Sequence, residues 1–371
     1  MRVRSGQYPG EMVDAAHVAD IVRAGLLAPS GDNCQPWRFS WNGHQLDVQW
    51  DRERAESFYD VRHIASWIAL GATLANMELA AHALGLAYGV VVFPKDLGDS
   101  VVARVSLQPG RLIREPLVSA IPSRCVNRRP YRHQPLLPNE REALWATVQP
   151  FHGMHLSLLE DAGRKARVAA LAARNDRLLF EHRALHDGLF RWLRWTSEAT
   201  RQTGDGIPAT SLELSTLERP GFRLLSSWPF ACLSAAMGVT RLLPLRTQST
   251  YRQSSAIGLL SMEGTAPEDF VKGGEVLQRL WLTATLKDLA FQPITGITFL
   301  WLRTQLLHGE GLSPHHRNLI EQTAHELHEL LDLSQRTPVM VFRLGHAQAP
   351  SARALRRPLE SVLTLAHPTP G

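Results

Sequence analysis

Cysteine and lysine are both scarce in this chain of 371 residues. The three cysteines, Cys34, Cys125 and Cys232, lie far apart and form no CxxC pair, which excludes a disulfide framework. Such usage is typical of a reducing compartment, so we predict a cytoplasmic protein. Lysine supplies only four of the 40 basic residues, and arginine, which supplies the rest, suits bidentate contacts with phosphate and carboxylate groups.

Several patterns that assign a function are also missing. No basic run is interleaved with aromatic residues, so no nucleic-acid partner is predicted. The chain has no GxSxG, no P-loop and no GxGxxG after a predicted strand. His325 and His328 share a helix face, but no further ligands stand at a suitable spacing, so no metal site is predicted.

No apolar run is long enough and free enough of polar residues to indicate a membrane span. The longest candidate, 64–93, carries Asn76, Glu78 and His82 near its middle. Because charged groups are costly inside a bilayer, we predict a buried core helix followed by a strand, and no membrane partner. Residues 1–6 lead into no apolar run either, so no signal peptide is expected.

What is present indicates a globular protein with a sizeable core. Hydrophobic residues make up 44% of the chain and charged residues 20%, and the length allows two domains. Apolar periodicity and turn residues predict alternating helices and strands. The predicted helices are 61–84, 139–148, 161–200, 273–290 and 314–333, and the predicted strands are 37–41, 45–50, 88–93, 101–107, 155–159, 256–262 and 338–344.

The stretch 27–39 joins a helical pattern to a strand pattern through a turn rich in short polar side chains. Its backbone is restricted at Pro29 and Pro36 and is conformationally free at Gly31. Polar groups are added by Ser30 and Asn33. Such a turn after a helix is able to present donors to a planar, polar ligand. An ordinary helix-to-strand loop is the alternative reading of the same residues.

A weak internal repeat relates two apolar helices. Residues 71–87 resemble 274–290 at an offset of 203, so that Leu74 corresponds to Leu277 and Leu86 to Leu289. Chance similarity between two apolar helices is the alternative. Each copy, however, has a helix–strand unit before it and β-rich sequence after it, which favours a duplication.

The motifs, taken in order, resemble the nitroreductase superfamily. Residues 28–39 follow its APSxxNxQPWxF signature, and 68–76 resemble the central helix that comes next. Residues 124–131 resemble the arginine-rich start of a second nitroreductase unit. Further likenesses are 273–293 to the second central helix, 338–345 with 353–358 to the last strand and basic tail, and Asp205-Gly206-Ile207-Pro208 to the fused tandem proteins of Acg type.

This resemblance implies an α+β fold, the three-layer α/β/α nitroreductase fold, with two fused halves forming an intramolecular pseudo-dimer. The halves would be 1–120 and 121–371, with a lid or insertion at about 200–255. Homodimeric nitroreductases build each FMN site from both subunits. Here the turn occurs only in the first half, since 148–153 does not repeat it. Residues 1–10 offer only Arg2 and Arg4 as an arginine motif, so one composite FMN site and a monomer or weak homodimer are expected.

The resemblance also identifies the residues expected to bind FMN. The phosphate dianion requires arginines or backbone N–H groups, and the pyrimidine edge of the ring requires polar side chains. Backbone near 290–293 is expected to approach the ring. The predicted cofactor-binding residues are Pro29, Ser30, Gly31, Asn33, Gln35, Arg124, Asn127, Arg128, Arg129, Gln292, Pro293, Arg353, Arg356 and Arg357.

Two functions fit this expectation. The first is an FMN-dependent oxidoreductase in which the flavin carries hydride between NADPH or NADH, or a small substrate, and a conjugated acceptor. The second is an FMN-sequestering protein with little or no turnover, in which a lid closes over the flavin. Apolar residues of 204–245 are expected to cover the ring in that case, namely Phe222, Trp228, Phe230, Leu242 and Leu243.

Overall fold

The computed structural model describes residues 13–241, 244–333 and 335–365. It contains helices and short strands, and most of the predicted elements are found within a few residues of their predicted bounds. The helices are α1 Ala15–Leu26, α2 Arg52–Ala55, α3 Ile64–Ala83, α4 Pro138–Val148, α5 Ala162–Asp176, α6 Leu178–Glu181, α7 Arg183–Arg191, α8 Ser197–Thr203, α9 Glu218–Leu224, α10 Trp228–Ala236, α11 Pro244–Arg252, α12 Pro267–Leu286, α13 Thr295–Leu307 and α14 Pro314–Leu330.

The strands form two main sheets and one short parallel pair. They are β1 Trp37–Trp41, β2 Gln45–Trp50, β3 Leu86–Val92, β4 Val101–Pro109, β5 Met154–Leu159, β6 Leu193–Arg194, β7 Ile207–Pro208, β8 Ala256–Met262, β9 Ala290–Pro293, β10 Thr337–Gly345 and β11 Leu363–Leu365. The first sheet has the order β11-β1-β2-β4-β3 and the second β5-β8-β10-β9, while β6 pairs with β7. The strands predicted at 88–93 and 101–107 correspond to β3 and β4, which pair antiparallel.

The two long central helices, α3 and α12, pack against each other between the sheets. Both span 20 residues, and both their first and their last residues lie 203 positions apart, which is the offset predicted from the sequence. The predicted class is therefore confirmed as an α+β fold with two fused, related halves. Each helix buries one face against the sheet of its own half and the other face against the other helix. One continuous apolar core joins the two helices and the two sheets.

The central helix of the first half, α3, is almost wholly buried, as the sequence predicts. The stretch Val61–Ala83 is apolar and long enough to cross a membrane, and 89% of its most apolar window is buried inside the protein. Its polar side chains are paired rather than exposed to apolar surroundings, since Asn76 donates to the carbonyl of Ala24 at 2.9 Å. Strand β3 follows it directly.

Two predicted elements are wrong in extent. The helix predicted at 161–200 is broken into α5 to α8, because His182 is extended (φ −122°, ψ 119°) and the chain forms β6 after Trp192. The helix predicted at 273–290 starts earlier and ends at Leu286, since Asp288 adopts a left-handed φ of 55° before β9 begins.

The segment after β10 crosses from the second half to the first. Strand β11 pairs parallel to β1 with Phe39 opposite Leu363, and the Phe39 amide donates to the carbonyl of Val362 at 2.8 Å. The first sheet therefore needs residues 362–365 as its edge, and residues 346–361 run along the junction between the halves.

Candidate functional site

The turn between α1 and β1 has an unusual backbone. Asp32, Asn33 and Gln35 have φ values of 50°, 56° and 53°, a region that side chains other than glycine rarely enter. The Ser30 hydroxyl braces the turn by accepting the Gln35 amide at 2.9 Å. Backbone strain of this kind persists where the surroundings enforce it, and it concentrates at functional sites.

Asn33 and Gln35 fasten two distant segments to this turn. Asn33 Nδ2 donates to the carbonyl oxygens of Gly206 and Leu355, each at 3.0 Å. Gln35 Nε2 donates to the carbonyl of Gly204 at 2.9 Å, and its Oε1 accepts the Arg357 amide at 2.9 Å. The turn thus joins the start of the insertion to the segment that leads to β11.

A cavity opens beside the turn, with about 220 Å³ of space for water-sized molecules. Both halves of the chain build it, since α3 and α12 each supply part of its wall. Its apolar lining is contributed mainly by Ala65, Ile68, Ala69, Leu277, Trp281, Phe299 and Met340. A largely apolar space with a few convergent polar groups is typical of a cofactor site.

Three arginines gather at one end of the cavity. Arg124 donates to the carbonyl of Leu27 at 2.8 Å and lies over the Trp281 ring at 4.6 Å, while its buried Nε has no hydrogen-bond partner. Arg356 donates to the carbonyls of Leu26 and Ala28, at 2.7 and 3.0 Å, at the C-terminal end of α1. Arg353, the most exposed, donates to the carbonyl of Pro122 at 3.3 Å.

No carboxylate balances this charge in the described part of the chain. Burial, together with the neighbouring Arg356 and Arg353, lowers the pKa of Arg124 to about 9. Burial likewise lowers the pKa of Arg356 to about 10. Clustered, partly desolvated guanidinium groups without a counter-charge favour binding of an anion.

The other polar feature of the cavity is the pair formed by Asp32 and Arg128. Burial raises the pKa of Asp32 to about 6, and the Arg128 guanidinium opposes that rise. Burial lowers the pKa of Arg128. Among the described residues, the Arg128 guanidinium has no hydrogen-bond partner, so its donors remain available to a bound molecule.

The predicted binding residues divide into two groups. Nine line the cavity, namely Pro29, Ser30, Gly31, Asn33, Arg124, Arg128, Pro293, Arg353 and Arg356. The other five, Gln35, Asn127, Arg129, Gln292 and Arg357, lie outside it.

Those five contact protein groups around the cavity. Asn127 donates to the carbonyl of Gln348 at 2.8 Å, and Gln292 accepts from Arg343 at 2.7 Å. Arg129 donates to the Ser351 hydroxyl at 2.8 Å and lies 3.5 Å from the Glu213 carboxylate. These contacts hold the loops of the site together.

The residues that cover the cavity differ from those expected. Ile207 and Ser211 line it, from β7 and the following 3-10 turn. Phe222 instead contacts Phe180, and Trp228 contacts His186, in an aromatic cluster elsewhere in the insertion. Phe230 is exposed, and Leu242 and Leu243 lie outside the described residues.

An ion-pair cluster holds the covering segment in place. Asp205 accepts from Arg54 of the first half at 2.6 Å and from Arg194 of the second at 2.5 Å. Although burial alone would raise the pKa of Asp205, these two hydrogen bonds keep it below its usual value. A paired, partly buried carboxylate of this kind fixes residues 204–206 against the turn.

A small recess extends from the cavity at Asp32. It is lined by Arg54, Tyr59, Asp60 and Trp192. Burial raises the pKa of both Tyr59 and Asp60. The sequence analysis did not predict these residues as part of the site, because they lie outside the quoted motifs.

The equivalent space on the opposite side of the helix pair is filled. At the 203-residue offset, Glu78 stands where Trp281 stands in the cavity wall, and it pairs with Arg279. Arg279 also lies 3.5 Å from Glu275 and 6.0 Å from the ring of Phe151, a residue of the segment that does not repeat the turn. Charged side chains and an aromatic ring thus occupy this position.

The fold, the turn and the motif order define a protein similar to the nitroreductase superfamily in its fused, Acg-type form. The chain is 24% identical to the Mycobacterium tuberculosis protein named "Putative NAD(P)H nitroreductase acg" over 360 residues, which cover 95% of this chain and 97% of that one. An uncharacterized protein of the same organism is 28% identical over 342 residues, 91% of this chain and 47% of that one. The chain therefore spans about half the length of this second relative.

No family model matches the chain. Among solved structures, the FMN-dependent nitroreductase NfnB from Mycobacterium smegmatis, in complex with NADPH, aligns at 16% identity over 67% of this chain and 96% of its own, with a TM-score of 0.37. A nitroreductase with bound FMN from Desulfitobacterium hafniense aligns at 10% identity over 69% and 100%, with a TM-score of 0.36. Both TM-scores are low, so the fold rests on the strand order and helix pairing described above.

Proposed function

We propose that the cavity binds one FMN and that the protein is an FMN-dependent oxidoreductase of nitroreductase type. The observation that carries this proposal is that one largely apolar cavity holds two different polar features. Three arginines without a described carboxylate partner line it, and so do the strained turn and Arg128. A phosphate and a planar, hydrogen-bonding ring joined by a flexible chain match that arrangement.

Each part of the chain has a distinct role in this proposal. Arg124, Arg353 and Arg356 hold the phosphate, and the unpaired Nε of Arg124 supplies a donor that the protein itself does not use. The turn 30–33 and Arg128 face the pyrimidine edge of the ring. Ile68 and Leu277, on the two central helices, exclude water from its faces.

The division into two halves, 1–120 and 121–371, is part of the same proposal. The first half contributes the turn and α3, and the second contributes the arginines, α12 and the covering segment. When bound, the flavin supplies the hydride chemistry between NADPH or NADH and a conjugated acceptor. The recess lined by Tyr59 and Asp60 offers room and polar groups for part of such an acceptor.

Sequestration of FMN is the second candidate function. It is favoured by the covering segment 204–211, which Asn33, Gln35 and Asp205 tie to the turn. A ligand held beneath that segment leaves slowly unless these contacts break. Sequestration and turnover therefore use the same site and differ in how often the segment opens.

Flavin binding and anaerobic reduction distinguish these functions. The purified chain is expected to be yellow or to become so with added FMN. Bleaching by excess NADPH or NADH without oxygen, followed by reoxidation with a nitroarene or a quinone, supports the oxidoreductase. A bound flavin that stays oxidised supports sequestration. A protein that neither carries nor takes up FMN contradicts both.

A further inference from the structure

The insertion presents an apolar surface to solvent. Its outer face consists of Leu217, Leu224, Phe230, Leu233, Met237 and Leu245, whose exposed fractions run from 36% for Phe230 to 90% for Leu217. None of these residues lines the cavity. Several exposed large apolar residues within one insertion favour an interaction surface there.

Helix α10 is the centre of this outer face. Its sequence, WPFACLSAA, has no charged residue, and only Ala231 and Ser234 on it are buried. A helix that is apolar on every side is stable against a core or a lipid surface, not against water. The exposed Leu233 and Met237 are the apolar residues of this helix that a partner would cover.

Charge along this part of the insertion is mostly positive. Residues 217–252 contain five arginines, with Glu218 as the one acidic residue. Arg219 and Arg223 stand one turn apart on α9, both exposed and neither within ion-pair distance of a described carboxylate. Arg223 also lies 5.7 Å from the ring of Trp195. This is a cationic rim beside an apolar centre.

We propose that the outer face docks on an anionic phospholipid surface. Short helices with aromatic and aliphatic residues on one side and arginines at the rim bind at the headgroup boundary, with affinity from apolar burial and from attraction to anionic lipid. Helices α9 and α10, of 7 and 9 residues, are too short to span a bilayer. The sequence predicts no membrane partner because it predicts no membrane-spanning helix. Docking on a lipid surface does not require such a helix.

A second copy of the chain fits this face less well. A two-fold dimer through the outer face would gather the arginines of 217–252 from both copies in one interface, because a two-fold interface uses the same patch twice. Like charges brought together in this way oppose association. An anionic lipid surface attracts these arginines and so carries no such repulsion. The proposal does not depend on the flavin.

Flotation of the full chain with lipid vesicles tests the proposal. We expect binding to vesicles of equal parts phosphatidylcholine and phosphatidylglycerol, little binding to phosphatidylcholine alone, and release by salt. Leu233→Asp with Met237→Asp is expected to abolish binding. The matched control, Val90→Asp with Val91→Asp, places the same charges on the exposed edge strand β3 and is expected to bind like the parent chain.

Two further measurements support the test. One removes charge without removing apolar residues, and the other follows binding with no substitution. Arg219→Gln with Arg223→Gln keeps the apolar centre and is expected to weaken binding to anionic vesicles about 30-fold. Cys232 is the exposed cysteine of the three and lies on α10. An environment-sensitive dye on its thiol is expected to shift to the blue with anionic vesicles.

Three outcomes overturn the proposal. The first is no binding of the parent chain to anionic vesicles. The second is an equal loss of binding in the β3 control, which would show that added charge alone is responsible. The third is a concentration-dependent dimer that Leu233→Asp with Met237→Asp dissociates, which would assign the face to a second copy.

Discussion

Gly71 and Gly274 stand in reciprocal contact at the crossing of the two central helices. A Cβ on Gly71 would overlap the carbonyl oxygen of Val271, and a Cβ on Gly274 would overlap that of Ile68. Both the two glycines and the two carbonyl residues are 203 positions apart, so the contact is the same on each side of a pseudo-two-fold axis. The close backbone approach of α3 and α12 therefore uses the same glycine-to-carbonyl contact twice, once from each helix.

Substituting either glycine tests whether this crossing sets the stability of the fold. Gly71→Ala or Gly274→Ala is expected to lower the free energy of unfolding by about 2 kcal/mol, because backbone atoms cannot yield as a side chain can. Gly188→Ala is the control, since it is a helical glycine with no heavy atom near the added Cβ. In urea unfolding it is expected to be neutral or stabilising. Equal stability of all three variants would contradict the reciprocal packing.

Arg128 and Arg129 are adjacent residues with different surroundings. Arg128→Gln is expected to weaken FMN binding about 10- to 100-fold, because it removes a charge-assisted donor inside the cavity. Arg129→Gln removes the same charge outside the cavity, where Arg129 contacts Ser351 and Glu213, and is expected to change affinity far less. Fluorescence titration of the flavin measures both. An equal loss in the two variants would mean that general positive charge, rather than a donor inside the cavity, accounts for the affinity for FMN.

Asp205 is expected to control how fast the cofactor leaves. Asp205→Asn leaves Arg54 and Arg194 without their shared counter-charge, so residues 204–211 should open more often and the dissociation rate of FMN should rise about tenfold. Asp187→Asn is the control, because it breaks an exposed pair with Arg183. The rate follows from flavin release on rapid dilution. An unchanged rate in Asp205→Asn would show that the segment does not retain the cofactor.

Asp32 is expected to make the stability of the cofactor-free protein depend on pH. Its pKa rises from 3.8 to about 6 on folding, so below about pH 4 the carboxyl is protonated in both states. As the pH rises through 6, the unfolded state ionises first and the contribution of Asp32 to stability is lost, by about 1 to 2 kcal/mol after allowance for its contact with cavity water.

The change that isolates this effect is Asp32→Asn. Its free energy of unfolding should fall less between pH 4 and pH 6 than that of the parent chain. Asp99→Asn, which removes an exposed carboxylate, provides the comparison. Parallel pH curves for Asp32→Asn and the parent chain would show that Asp32 does not carry a raised pKa.

The sequence predicts the elements near the site well because their signals are local. The predictions of β1, β2 and the buried α3 all depend on short-range patterning. Arg128 and Arg129 are harder to assign. Val126 forms a bridge with Phe291 of β9, and side chains of extended backbone alternate between opposite sides, so sequence alone does not tell which of the two arginines enters the cavity.

Two features have no local signal at all. Strand β11 is only three residues long, and its pairing with β1 depends on where the rest of the chain folds. The apolar residues of the insertion look the same in sequence whether they cover a ligand or face outward. Ile207, by contrast, lies within the Asp205-Gly206-Ile207-Pro208 motif, which marks the segment that covers the cavity.

The crossing of residues 346–365 to the first half has a consequence for the order of events during synthesis. Ala352, Arg353, Ala354 and Arg356 line the cavity, and β11 forms the edge of the first sheet. A ribosome that has released only residues 1–340 therefore holds a first sheet without its edge and a cavity open on one side. The proposed FMN site is incomplete until the later segment emerges, so we expect loading to follow translation of both halves.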